Sequence, residues 1–237
     1  MRKIFKNLWR TILWTIVAFF ALSIVSVVVY RWLPVYYSPL MFIRLAQQVD
    51  QKRQLHLVHH WVSLEDMSSD LPLAVMSSED QNFFKHNGFD FEQIKIAYEE
   101  AQNGGRVRGA STISQQTAKN VFLWPESSWL RKGLEAYFTV LIEVLWDKHR
   151  IMEVYLNTIE MGDGIYGAEA VAHEHFGCSA SQLSRHQCAM IAATLPNPLR
   201  FDSAHPTRYM YRRQSAIMRQ MRNLVRFPSR EEMENGN

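Results

Sequence analysis

Cysteine is nearly absent, with only Cys178 and Cys188 in 237 residues. No Cys-x-x-Cys and no Cys/His cluster of zinc-finger spacing occurs, so a disulfide-stapled scaffold and a zinc module are both excluded. The pair reads as two small buried thiols, and a disulfide between them stays open because pairing is not legible in sequence. Acids are missing from the first 49 positions, while Arg2, Lys3, Lys6, Arg10, Arg31 and Arg44 lie there. A continuous basic coat is missing too. Residues 50–199 hold 12 Lys and Arg against 19 Asp and Glu, and only from Arg200 onward do 8 Arg outnumber 4 acids. That distribution argues against a nucleic-acid partner. Runs of alternating β-branched residues are nearly absent, which excludes an all-β fold.

What is present is apolar and helical. With 47% apolar residues the chain can bury one sizeable core, so one domain plus an extension is expected. Ile12 to Tyr30 is 19 residues without a charge. As a helix it spans about 28 Å, enough for the hydrocarbon core of a bilayer. The basic residues before it hold the N-terminus in the cytoplasm, and Trp14, Tyr30, Trp32, Tyr36 and Tyr37 suit the two interfaces. The run is longer than a signal-peptide core and no clear A-x-A site follows, so it reads as an uncleaved anchor. The expected organisation is a cytoplasmic basic segment at 1–11, an anchor at 12–30, a connector at 31–60, a domain at 61–228 outside the inner membrane, and a tail at 229–237. A short helix is expected in the connector over roughly 41–54.

Beyond the connector the period is helical. Leu134, Tyr137, Phe138, Leu141, Ile142, Leu145 and Trp146 follow the i, i+3, i+4, i+7 rule. Phe91, Ile94, Tyr98 and Ala101 make a second stripe, and Ile151, Tyr155 and Leu156 a third. Asn103-Gly104-Gly105 reads as a turn. The fold class is all-α with a short hairpin at most. Tyr209 to Phe227 reads as a last helix with arginine on most exposed positions, either solvated or facing anionic lipid head groups. Val121-Phe122-Leu123-Trp124 with Trp129-Leu130 is an apolar cluster that is either core or a contact with the outer leaflet.

Several residues could carry chemistry. Glu79-Asp80 lies between the apolar run Leu71 to Met76 and Phe83-Phe84, a setting that suits a proton acceptor, though such a pair also serves as a plain helix cap. Glu135 stands beside Arg131 and Lys132, as a second carboxylate or as an ion-paired helix start. Gly109 to Asn120 is the densest polar segment. Its Ser and Thr can cap a helix, and Gln115, Gln116, Lys119 and Asn120 then fall within about one turn, a surface able to grip a sugar or a phosphate. His86, His173 and His175 are candidate ligands, but the H-x-H spacing of the last two diverges on a helix. No metal site is assigned.

Taken together, these segments resemble the peptidoglycan glycosyltransferases, glycosyltransferase family 51. Five motifs occur in the family's order: Glu79-Asp80-x-x-Phe83-x-x-His86-x-Gly88; Gly109 to Asn120; Arg131-Lys132-x-x-Glu135; Lys148-x-x-Ile151-Met152-Glu153-x-Tyr155-Leu156-Asn157, continuing to Gly162, Gly167 and Phe176-Gly177; and Ala189-x-x-Ala192-Ala193-x-Leu195-Pro196-Asn197-Pro198. The resemblance covers about residues 65–225. It implies a mostly helical, lysozyme-like domain with a small membrane-proximal subdomain. It also implies polymerisation of lipid II into β-1,4 glycan strands, with inversion at the donor MurNAc C1 and release of undecaprenyl pyrophosphate. By the same match Glu79 is the base and Glu135 the second essential carboxylate. Lys119, Arg131 and Lys132 face the pyrophosphate. Ser111, Thr112, Gln115, Gln116 and Asn120 position sugars and phosphates, and Asp80, Phe83 and His86 shape the first motif.

The family pattern departs at three places. Ser127 and Ile96 stand where relatives often carry a basic residue, and Gln187 where they often carry Glu. No firm cofactor is implied, with a divalent cation (Mg or Mn) at the pyrophosphate left open. The implied partners are lipid II, the growing lipid-linked glycan, the bilayer and other cell-wall synthesis or division proteins. No Ser-x-x-Lys occurs, so the serine acyl-transfer site of bifunctional relatives is not expected. Two other readings remain: a glycan-cleaving enzyme of lysozyme type, since two carboxylates on an α fold also serve hydrolysis, and a non-catalytic scaffold.

Overall fold

A computed structural model of the chain describes residues 2–104 and 109–235, the side chains of residues 2–5, 234 and 235 aside. It divides into two compact units, one ending at Pro34 and one beginning at Val35.

The first unit is helix α1, Arg2–Tyr30. Its stretch Lys6–Tyr30 is long and apolar enough to cross a membrane. The hydroxyls of Thr11, Thr15 and Ser26 donate to the backbone carbonyls of Asn7, Thr11 and Ser23. Each of these hydroxyls is thereby satisfied within the helix, as an apolar surrounding requires.

The second unit begins with α2, Pro39–Asp50, two residues earlier than its sequence suggests because Pro39 sits in the first turn, where a missing N–H costs nothing. It ends before Lys52, whose φ of 54° breaks the helix. Leu40 and Met41 of α2 bury against Tyr166, with Leu57 alongside, and Arg44 pairs with the buried Glu160 at 3.2 Å. The remaining helices are α3 (Asp70–Glu79), α4 (Phe91–Gln102), α5 (Ile113–Phe122), α6 (Trp129–Leu145), α7 (Lys148–Thr158), α8 (Ala168–Phe176), α9 (Arg185–Thr194), α10 (Arg208–Gln220) and α11 (Arg230–Asn235). The unit is all-α except for three short strands, β1 (Val58–His59), β2 (Glu160–Gly162) and β3 (Ile165–Tyr166). The expected hairpin is β2–β3, and β1 joins β3 in parallel from the connector. Asn157 fixes that connector. Its side chain accepts from Val62 N and donates to Val62 O, and its backbone oxygen accepts from His59 Nε2. Gly167 packs against the same residue: its φ is +84° and a Cβ would stand 2.6 Å from Asn157 O, so only glycine fits.

Helix α3 is apolar all round, and every residue from Leu71 to Ser77 is buried, the mark of a core helix. It packs on α9 and α10, while α5 packs on α6 and α7. Burying each of these large side chains contributes about 1.5–3 kcal/mol. Side-chain caps start α4 (Asp90), α5 (Thr112), α6 (Ser128), α7 (Asp147), α9 (Ser184) and α10 (Thr207), each contributing about 1 kcal/mol. Gln187 closes the capping box of α9 through Ser184 N, a task that Glu or Gln performs equally. Both cysteines are free thiols, and burial pushes Cys188 up to about 12.

Two apolar features divide differently from their sequence pattern. The α6 stripe is packed, with Phe138, Ile142 and Trp146 buried and Phe122 stacked on Phe138 at 4.5 Å. The α4 stripe is bare: Phe91 is 74% exposed, and Ile94 and Tyr98 are exposed as well. Similarly, Val121 and Leu123 are core, whereas Trp129 is 94% exposed and Leu130 is exposed beside it. The turn read at Asn103-Gly104-Gly105 is present at Asn103 and Gly104, and Gly105 lies outside the described residues.

Candidate active site

Glu79 is the last residue of α3. Core packing carries the helix to that point, and the chain turns at Asp80, so Glu79 emerges half-buried at the edge of the core. Both carboxylate oxygens have a donor. Ser78 Oγ lies 2.9 Å from Oε1, and Gln116 Nε2 on α5 lies 3.1 Å from Oε2. Gln116 is itself held, because Tyr155 on α7 donates to its Oε1 at 3.2 Å. Burial drives the Tyr155 hydroxyl well above its ordinary range, with the charges of Glu79 and Asp80 adding to the effect, so Tyr155 remains a donor.

The rest of the first motif is spent on framing. Asp80 is buried and accepts from His86 Nε2 at 2.9 Å and from Ile113 N, the first amide of α5, at 3.0 Å. It therefore ties the Glu79 turn to the helix that carries Gln116. His86 Nδ1 accepts from Gly88 N at 3.2 Å, and Gly88 O accepts from Thr112 Oγ1 at 2.6 Å. Gly88 has φ +90°, and a Cβ there would meet Thr139 at 2.7 Å. Phe83 is 0% exposed, with Lys148 Nζ 4.6 Å from its ring centre. Lys148 also donates to His86 O and to Glu143, which accepts from Ser114 as well. Asp80, Phe83 and His86 thus hold the loop after Glu79.

Along α5, Thr112 and Gln115 form a capping box and are buried, whereas Ser111 is exposed just before it. Lys119 is half-buried. Burial lowers its pKa, Glu135 and Glu79 oppose that shift, and Arg131 and Lys132 add to it. One ammonium therefore lies within electrostatic range of both carboxylates and both neighbouring cations. Asn120 is buried, with its Nδ2 meeting no acceptor among the described residues.

Helix α6 brings the second carboxylate. Glu135 is 3% exposed; its Oε2 accepts from Arg131 Nη1 at 2.6 Å and its Oε1 from Lys132 Nζ. The i, i+4 and i, i+3 spacings place both cations over it. Arg131 is buried and its Nε meets no acceptor among the described residues. His173 pairs with Glu169 and His175 with Ser203, so the two point apart.

Residues that the sequence did not single out include Ser78, Glu143 and Arg213, whose Nη2 lies 3.1 Å from Ser78 Oγ. Tyr155 appeared as core and as part of a motif, with no sign that its hydroxyl reaches Gln116.

Comparison with known proteins gives the family. The family model described as Transglycosylase matches residues 46–222. The chain is similar to proteins named biosynthetic peptidoglycan transglycosylase. That of Bacteroides thetaiotaomicron is 57% identical over 213 residues, covering 90% of this chain and 86% of the relative. That of Pseudomonas aeruginosa is 46% identical, covering 93% and 94%, and that of Stutzerimonas stutzeri is 45% identical, covering 94% and 91%. With this match over the helical domain that holds Glu79, Lys119 and Glu135, the chain belongs to the peptidoglycan transglycosylases, a family of glycosyltransferases of lysozyme-like fold.

Proposed function

We propose that the chain polymerises lipid II into β-1,4-linked glycan, with Glu79 as the base. Glu79 takes the proton of the acceptor's GlcNAc 4-hydroxyl. The oxygen forms a bond to C1 of the donor MurNAc from the face opposite the leaving group. The C1–O bond to the undecaprenyl pyrophosphate breaks, its electron pair stays on the diphosphate, and the α linkage becomes β. The proton on Glu79 then passes to solvent. The observation that carries this reading is the cationic cluster in which Arg131 and Lys132 both bond the buried Glu135, with the half-buried Lys119 in electrostatic range of it and of Glu79. Such a cluster suits a leaving diphosphate, whereas a glycosidase expels a neutral sugar alcohol and has no use for it. Asn120 Nδ2 and Arg131 Nε, buried donors without acceptors among the described residues, are the donors we assign to substrate oxygens. We assign Ser111 and Gln116 to positioning sugars.

Magnesium or manganese does not fit Glu135 as it stands, because both of its oxygens are bonded to cations. Among the described residues, Asp80, His86 and Asp90 bring metal-type ligand atoms together. These atoms are already used: Asp80 serves His86 and Ile113, and Asp90 serves Asn82 and Gln93. No step is assigned to a metal, and the leaving charge is assigned to Lys119, Arg131 and Lys132.

A carrier lipid remains in the bilayer, which accounts for the apolar helix α1. We place α1 as a single span of the inner membrane, with the N-terminus cytoplasmic and the domain periplasmic. The 237 residues carry no Ser-x-x-Lys, so cross-linking falls to other proteins of wall synthesis. The test is the full chain in liposomes with lipid II. Glycan polymer and released undecaprenyl pyrophosphate are expected; shortened glycan from purified sacculi with no polymer would overturn the reading.

A further inference from the structure

The arginines of α10 look alike in sequence, spread over a helix that is mostly exposed. One of them is different. Arg213 points inward and donates from Nη2 to Ser78 Oγ at 3.1 Å. Ser78 precedes Glu79 and offers its hydroxyl to two acceptors, Glu79 Oε1 at 2.9 Å and Ala192 O at 3.3 Å. A hydroxyl has a single proton. The guanidinium occupies a lone pair of Oγ and repels the proton away from itself. The nearer and charged acceptor is the Glu79 carboxylate, so the proton goes there.

Two further contacts hold the same segment on the first motif. Gln220 Nε2 at the end of α10 donates to Gln81 Oε1 at 2.8 Å, and Phe227 packs on Phe84 with ring centres 5.3 Å apart. The residues after α9 therefore form a strap across the turn that presents Glu79. Arg213 Nε is buried and meets no acceptor among the described residues. Among the described residues, the side-chain hydrogen bond of Arg213 is the one to Ser78.

We propose that Arg213 is a positioning residue for the transfer reaction, acting through Ser78 to fix the rotamer of Glu79. Gln116 holds Oε2 from α5, and the Arg213–Ser78 pair holds Oε1 from α10, so the carboxylate is clamped from two sides. Arg213 need not touch substrate in this role. The inference rests on the assignment of Glu79 as the base.

The test uses the full chain in liposomes with lipid II and the variants Ser78→Ala, Arg213→Met, Arg213→Lys, the Ser78→Ala/Arg213→Met double, and Glu79→Gln. Ser78→Ala and Arg213→Met are each expected to lower kcat about five- to fiftyfold, with KM for lipid II changed less than about twofold. Because both act on one link, the double variant loses no more than the worse single. Arg213→Lys keeps a donor and recovers part of the loss. Additive losses in the double variant, a rise in KM at constant kcat, or equal loss in Arg213→Lys and Arg213→Met would overturn the proposal. Ser78→Ala removes one oxygen from a half-buried site, so it remains informative if Arg213→Met fails to fold. Glu79→Gln separates the two levels. If it polymerises like wild type, the base assignment has failed. If it is silent while Ser78→Ala and Arg213→Met keep wild-type kcat, Glu79 stands as base and the role of Arg213 falls.

Discussion

Gln116 donates to Glu79 at 3.1 Å from a side chain whose other end is held by Tyr155. An amide has a donor end and an acceptor end. The Tyr155 hydroxyl fills the acceptor end, which leaves only the N–H₂ group to face the carboxylate. Tyr155→Phe frees the amide to turn its oxygen toward Glu79. The loss of one hydrogen bond of about 0.5–1.5 kcal/mol is expected as a two- to tenfold fall in kcat with little change in KM, read from lipid II turnover.

Lys119 gives a pH signature with opposite signs for activity and stability. Burial is the largest cause of its lowered pKa. The unfolded chain keeps that proton up to the ordinary 10.5, so between the folded value and 10.5 the unfolded state binds more protons and stability from this residue rises with pH. On the proposed mechanism activity needs the charge, so it is expected to fall over the same window. The alkaline limb of kcat/KM is therefore expected below pH 10.5, and Lys119→Arg, always charged, is expected to move it upward. Rate profiles of the two proteins, with denaturant melts across the same range, check both signs.

Glu135 and Glu79 should differ in what their loss does to the fold. Glu135 lies buried between Arg131 and Lys132, and Glu135→Gln strands the buried guanidinium. A loss of about 3–5 kcal/mol is expected, most of it through Arg131, since Lys132 is half exposed and screened. Glu79→Gln keeps a polar group at a half-buried position and is expected to cost under about 1 kcal/mol. Urea melts of the two variants read the difference.

The loop between Glu79 and Gly88 is held from below by Lys148, which donates to Glu143 and His86 O over the Phe83 ring. Lys148→Met leaves the Glu143 carboxylate buried without its cation, at an expected cost of about 3–5 kcal/mol. Amide exchange over residues 80–88 is expected to accelerate more than exchange in α9, which does not share that contact.

Much of this site was legible in the order of the chain. Glu79, Lys119 and Glu135 stand in three motifs, and the fold sets Lys119 of α5 within electrostatic range of both carboxylates. The α6 stripe was legible as a buried face because Phe138, Ile142 and Trp146 repeat at helical spacing. The same rule found α4 as a helix, yet Phe91, Ile94 and Tyr98 stay exposed, because periodicity records that a helix has two faces, not what covers the apolar one. The roles of Ser78, Tyr155 and Arg213 were not legible, since each depends on where a partner far along the chain comes to rest. The Arg213–Ser78 bond spans 135 residues, and nothing in a row of arginines marks which one turns inward.

The most direct measurement is the rate at which Glu79→Gln, in liposomes and with its fold verified by melting, converts lipid II to glycan. Without the carboxylate there is no group to take the 4-hydroxyl proton, and a fall of about 10²- to 10⁴-fold is expected while lipid II still binds. Polymer formed at the wild-type rate would contradict the account.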